Sequence, residues 1–162
     1  MTKPGVMLLA VAMLGGLAAC GQSSPSPPSA APAAPSLPSV DTAGARSLLS
    51  EDEALEPLSF PAEGSTTVTG EVVGYRSTAY AVPVAAGQTL RVDFAPSNTN
   101  LYMNIHDTAD QSGAAVFRGE VEGAQATLTP AEPTTYLIRP FQPRATARRG
   151  ERGAFTLAIS RR

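Results

Sequence analysis

Two groups of residues in this sequence of 162 could do chemistry. One is the only histidine, His106, which stands beside Asp107. The other is a run of four arginines between Pro143 and Gly153. A hydrolytic site needs a nucleophile with a base, paired carboxylates or a metal cage. His106 and Asp107 could orient a serine, but no Gly-x-Ser-x-Gly stretch supplies one, and a lone histidine at a strand end reads as a polar surface residue. His106-Asp107-Thr108-Ala109-Asp110 offers oxygen ligands that could serve calcium, yet it lacks the further carboxylates such a site uses. Asp and Thr also favour loops for reasons of their own. No glycine-rich phosphate loop opens a helix. The chain is therefore expected to be no enzyme and to hold no cofactor or metal. A formal net charge of -2 argues against a nucleic-acid partner.

The arginines admit two readings. Pro143-Arg144-Ala145-Thr146-Ala147-Arg148-Arg149-Gly150-Glu151-Arg152-Gly153 could be a solvated hairpin tip, and Lys3 is the only lysine, so every other cation here is arginine in any case. The same tip could present guanidinium groups to an acidic target, since their planar forks pair bidentately with carboxylates. Tyr75 lies in the turn Gly74-Tyr75-Arg76-Ser77-Thr78, outside the alternating pattern, as either a lid over the domain's end or an exposed anchor.

The elements that must hold these loops are strands. From Leu58 onward apolar residues recur at every second position. Val68, Gly70 and Val72 share a face; Tyr80, Val82 and Val84 follow. Leu90, Val92 and Phe94 alternate with Thr89, Arg91 and Asp93. Leu101, Met103 and Ile105 come next, then weaker runs at Val116-Phe117 and Ala124 to Leu128. Tyr136 with Ile138, and Phe155 with Leu157 and Ile159, complete the set. Ala85-Ala86-Gly87 marks a tight turn. About eight short strands with one apolar face each predict an all-β, antiparallel β-sandwich, with Tyr80 and Tyr136 in its core.

The first residues read as an export signal. Lys3 precedes an apolar run, Val6 to Leu14, which is shorter than the roughly 20 residues of a membrane span. Leu17-Ala18-Ala19-Cys20 resembles the lipobox of bacterial lipoproteins. The resemblance implies a signal peptide over 1–19, a diacylglycerol thioether on Cys20, and a lipid anchor in the membrane. Gly21, where aspartate would signal retention at the inner membrane, points to the outer membrane facing the periplasm. Cys20 is the only cysteine, so the mature domain has no disulfide. Residues 20–57 read as a disordered tether rich in Pro, Ser and Ala, with a frayed helical turn near Arg46 to Leu55. The sandwich is expected over 58–162.

Val68-Thr69-Gly70-Glu71-Val72 and the turn Ala86-Gly87-Gln88-Thr89-Leu90-Arg91-Val92 resemble the pre-peptidase C-terminal type of sandwich. Together with Tyr136-Leu137-Ile138-Arg139, and with Arg144 to Glu151 running into Phe155-Thr156-Leu157-Ala158-Ile159, they are similar to bacterial inhibitors of goose-type lysozyme over Thr66 to Ser160. The resemblance implies a protein partner, the lysozyme, whose glycan cleft the inhibitor blocks. By position, Arg144 and Arg148 would enter the cleft, with Tyr75, Arg76 and Arg149 as adjoining contacts. Pro140 and Pro143 depart from the family pattern just before the arginines. The alternative is a non-catalytic lipoprotein that binds polysaccharide or peptidoglycan.

Overall fold

In the computed structural model, residues 36–162 are described. The expected export signal, Cys20 and most of the expected tether lie outside them. The chain order is α1 (Thr42–Ser47), β1 (Glu53–Pro57), β2 (Gly64–Val73), β3 (Ser77–Val84), β4 (Leu90–Pro96), β5 (Tyr102–Asp107), β6 (Ala115–Arg118), α2 (Gly119–Glu122), β7 (Gln125–Leu128), β8 (Thr134–Phe141), α3 (Arg144–Arg148) and β9 (Arg152–Arg161).

The strands form two sheets, β1-β3-β8-β5-β6 and β2-β9-β4-β7. Their inner faces carry the alternating residues read from the sequence. Val82, Leu90, Val92, Met103, Ile105, Ile138, Leu157 and Ile159 are all essentially inaccessible. Tyr80 and Tyr136 are buried among them as expected, and the rings of Tyr80 and Phe155 meet edge to face with centroids 6.3 Å apart. Burying each such aliphatic or aromatic side chain contributes about 1.5–3 kcal/mol.

The folded unit begins earlier than Leu58. Asp41 caps α1 by accepting from the Gly44 amide at 2.9 Å. Its own amide donates to Thr135 Oγ1. The helix and the chain after it cross the outer face of the first sheet, where Val40, Leu48, Leu49 and Leu55 cover a small second core of Ala45, Ala79, Ala81 and Leu137. β1 then joins the edge of that sheet parallel to β3, with Leu55 opposite Ala79. So the described residues hold nine strands, one of them parallel-paired, and the expected frayed turn is an ordered helix displaced toward the amino terminus. The physical reason is two-sided burial. β3 is almost wholly buried, which strict alternation does not lead one to expect.

Following the strand directions separates two poles. Asp41, the Ala85–Gly87 turn and the carboxyl-terminal Arg162, which exchanges backbone hydrogen bonds with Thr89, lie at one. Gly87 there has the positive φ of 71° that a tight turn demands. The segments 74–76, 97–101 and 142–151 lie at the other. At the first pole Arg161 is 2% exposed and, among the described residues, pairs with no carboxylate. Its Nη1 donates to the Pro83 carbonyl at 2.6 Å, and its Nη2 to the carbonyls of Phe60 at 2.6 Å and Pro61 at 3.2 Å. The guanidinium lies 3.8 Å from the centre of the Phe60 ring. It fastens the β1–β2 connection across the end of the sandwich.

Candidate functional site

The arginine segment is no hairpin tip. β8 belongs to the first sheet and β9 to the second, so residues 142–151 cross from one layer to the other and close the pole. Pro143, extended at φ -55° and ψ 147°, precedes a single helical turn, α3. Proline suits a helix start because the first helical amides need no intrahelical acceptor. Pro140 lies past Tyr80↔Ile138, where the β3–β8 ladder ends, so its missing N–H breaks no bond on that side. Thr146 and Ala147 turn inward and are buried. Arg144 and Arg148, one helical turn apart, are therefore stacked on the outward face. Gly150, with φ at 64°, ends the turn, and its amide donates to the Ala147 carbonyl at 2.9 Å.

Ion pairs sort the arginines. Arg149 binds Glu151 at 2.5 Å and Arg152 binds Glu71 at 3.0 Å, both at the surface. Such pairs are worth at most about 1 kcal/mol and exchange readily. Arg144, Arg148 and Arg76 are exposed and, among the described residues, have no carboxylate within ion-pair distance.

The turn between β2 and β3 stands against this segment. Val73 and Arg76 exchange backbone hydrogen bonds around Gly74 and Tyr75. The Gly74 amide donates to the Glu151 carbonyl at 2.9 Å. Gly74 has φ at 61°, and a Cβ there would stand 3.1 Å from the Ala147 carbonyl oxygen. Only glycine meets both demands without strain. Tyr75 beside it is 50% exposed. All five residues read from the sequence, Tyr75, Arg76, Arg144, Arg148 and Arg149, thus meet at one pole. Sequence reading missed the Gly74 amide that joins the two loops; the Gly-Tyr pair next to a strand end was its only signal.

His106 is not a surface residue. It is 6% exposed on the outer face of the first sheet. Burial lowers its pKa, and the nearby Arg139 charge adds to that effect, which keeps the imidazole neutral. Asp107 does not serve it as a catalytic orienter: its Oδ1 accepts from the Ala109 amide and the Thr134 hydroxyl. Asp110 likewise accepts from the Ser112 amide. These carboxylates are used in turns, and among the described residues no group of three His, Cys, Asp or Glu side chains could hold a metal ion.

No family model matches this chain, and no curated protein sequence does. Solved structures do. PliG of Aeromonas hydrophila, described as a periplasmic lysozyme inhibitor of g-type lysozyme, is 30% identical, with 68% of this chain and 98% of that one covered at a TM-score of 0.60. PliG of Salmonella Typhimurium shares the fold at 19% identity, 67% and 98% coverage and a TM-score of 0.50. The pre-peptidase C-terminal domain of a Bacillus anthracis collagenase shares it at 16% identity, 69% and 98% coverage and a TM-score of 0.50. With a sandwich matched over nearly the whole of the Aeromonas protein and almost a third of its residues identical, this chain belongs to the PliG family, whose members are inhibitors of g-type lysozyme and not enzymes.

Proposed function

We propose that this protein inhibits a goose-type lysozyme by inserting Arg144 and Arg148, flanked by Tyr75, Arg76 and Arg149, into the enzyme's glycan cleft. The observation that carries the reading is the pair of guanidiniums on one face of α3 that form no ion pair among the described residues, at the pole where Tyr75 is exposed. A lysozyme cleft holds carboxylates, among them the catalytic acid. A guanidinium seated there forms charge-assisted hydrogen bonds and excludes the sugar. The domain reaches the enzyme from the cell envelope, held at the outer membrane by lipid on Cys20 and facing the periplasm.

The test is a lysozyme assay on peptidoglycan with residues 21–162 as a soluble protein. Near-stoichiometric inhibition is expected. Loss of one desolvated arginine–carboxylate pair costs about 2–5 kcal/mol, so Arg144→Ala or Arg148→Ala alone should weaken inhibition by about 30-fold or more. The double change should remove most of it and leave the melting temperature within about 2 °C, since neither side chain forms an ion pair among the described residues. Inhibition that survives the double change refutes the site; an inactive parent protein refutes the function. In cells, Cys20→Ser should release the protein from the membrane fraction.

A further inference from the structure

A cavity of about 370 Å³ opens on the outer face of the first sheet, and of the side chains named for the arginine site Tyr75 alone lines it. Arg139 and Phe141 from β8 and Asn104 and His106 from β5 line it, with Asp52 and Glu53 on one wall. Arg139 grips Glu53 through Nε at 3.0 Å and Nη2 at 2.6 Å. Its Nη1 has no hydrogen-bond partner among the described residues. Asp52 is exposed and takes part in no ion pair among them. His106 Nδ1 is buried and has no hydrogen-bond partner among the described residues. The ring of Tyr75 is half exposed, and that of Phe141 is partly so.

These groups discriminate among ligand classes. Arg139 and Glu53 offset each other, so the cavity carries one uncompensated charge, that of Asp52. A polyanion would meet that carboxylate, and a small cation would meet the guanidinium within the cavity. A wholly apolar ligand would strip water from both without replacing its hydrogen bonds. A hydroxyl satisfies both at once: it donates to a carboxylate and accepts from an N–H. A pyranose carries such hydroxyls in adjacent pairs around its edge, while the C–H bonds on its face can lie against an aromatic ring. At roughly 30 Å³ per water, the cavity of 370 Å³ holds the equivalent of about a dozen waters, enough for one sugar ring and its substituents.

We propose that this cavity is a saccharide subsite that takes one neutral pyranose unit of an envelope glycan, its face against Tyr75 and its hydroxyls shared between Arg139 and Asp52. The subsite does not depend on the inhibitor reading, although both use Tyr75. It would hold the domain near the polymer that the lysozyme attacks.

Residues 21–162 would be titrated with the trisaccharides chitotriose and cellotriose, followed by amide chemical shifts. The expected result is saturable binding with a Kd of about 1 mM or tighter. Shifts should concentrate at residues 50–53, 75, 104 and 139. Preference for chitotriose assigns an N-acetylated unit; equal binding assigns the shared hydroxyls. Asp52→Ala should weaken binding at least about tenfold, and Ser50→Trp should occlude the mouth and abolish it. Circular dichroism would confirm that both variants fold. Arg144→Ala with Arg148→Ala should bind the sugars as the parent does. Absence of binding by ~10 mM of both sugars, shifts that map elsewhere, or an unaffected Asp52→Ala variant each overturn the proposal. Should Asp52→Ala lose lysozyme inhibition while the parent binds no sugar, the cavity belongs to a side chain of the protein partner instead. Sugar binding without lysozyme inhibition would retain the subsite and remove the inhibitor function.

Discussion

Gly74 offers the sharpest separation of site from scaffold, because replacing it strains the joint between the two loops. In Gly74→Ala, the left-handed backbone, with φ at 61°, costs a β-carbon about 1–2 kcal/mol. The new Cβ stands 3.1 Å from the Ala147 carbonyl oxygen and 3.6 Å from Gly150 Cα, so the two loops must part by a few tenths of an ångström. That loosens the Gly74 amide bond to Glu151, worth about 1 kcal/mol. The sum is a loss of about 2–3 kcal/mol, or roughly 8–12 °C in melting temperature for a domain of this size. Gly87→Ala is the control. Gly87 has φ at 71° and nothing within 4 Å of an added Cβ, and it sits at the opposite pole, so it bears the backbone cost alone. Both variants would be compared below their melting points by urea unfolding and by lysozyme inhibition. Gly74→Ala should lose inhibition by about 30-fold, as if one arginine contact had gone, while Gly87→Ala inhibits normally. Equal inhibition by the two would refute the idea that the Tyr75 turn and the arginine helix act as one rigid unit.

The other pole and the outer face have consequences of their own. Arg161→Met keeps most of the side-chain volume but leaves the Pro83 and Phe60 carbonyls without their donor; urea unfolding should show a loss of about 2–4 kcal/mol, and an unchanged midpoint would mean that the guanidinium contributes nothing net. Stability should also fall with acid in two stages. Burial, aided by Arg139, lowers the folded pKa of His106, so its contribution is complete above about pH 6.5 and is lost as pH falls through the lowered value. For Glu53, burial pushes upward, but the hydrogen bonds from Arg139 and Ser50 prevail and the net shift is downward; its contribution is complete above about pH 4.3 and is lost below that as the folded group titrates. Unfolding free energies from about pH 8 to about pH 2 should lose the upper stage in His106→Gln and keep the lower one. Identical pH slopes for the variant and the parent would rule His106 out.

How much of this was legible in the sequence depends on what each signal encodes. Alternation reports one-sided burial, so Leu90, Val92 and Phe94 or Phe155, Leu157 and Ile159 announced their strands and their inward faces without ambiguity. It is silent where both faces are buried. Ala79 and Ala81 sit under Leu48, Leu49 and Leu55, and nothing in the spacing of residues 42–57 distinguishes a strap laid on a sheet from the end of a tether. The Asp41 cap was present as a residue type, but a cap matters only if a helix follows, and six residues carry too little periodicity to announce one. His106 was misplaced as well: it is 6% exposed on a face that one-sided alternation assigns to solvent.

The site was legible as composition and not as geometry. Four arginines in one connection raise the local positive charge whether or not any of them is free. Their freedom depends on partners that no local pattern reveals, and Glu71, which takes up Arg152, lies 81 residues away. Glu151 occupies Arg149 from two positions on, on the far side of the turn that Gly150 makes. What remains outward is the pair at Arg144 and Arg148, and their alignment follows from one local fact: the inward burial of Thr146 and Ala147 fixes the rotation of a turn too short to hold itself as a helix. The testable burden of recognition therefore rests as much on those two small residues as on the arginines. Enlarging Ala147 would turn the guanidiniums off their common face without touching either one.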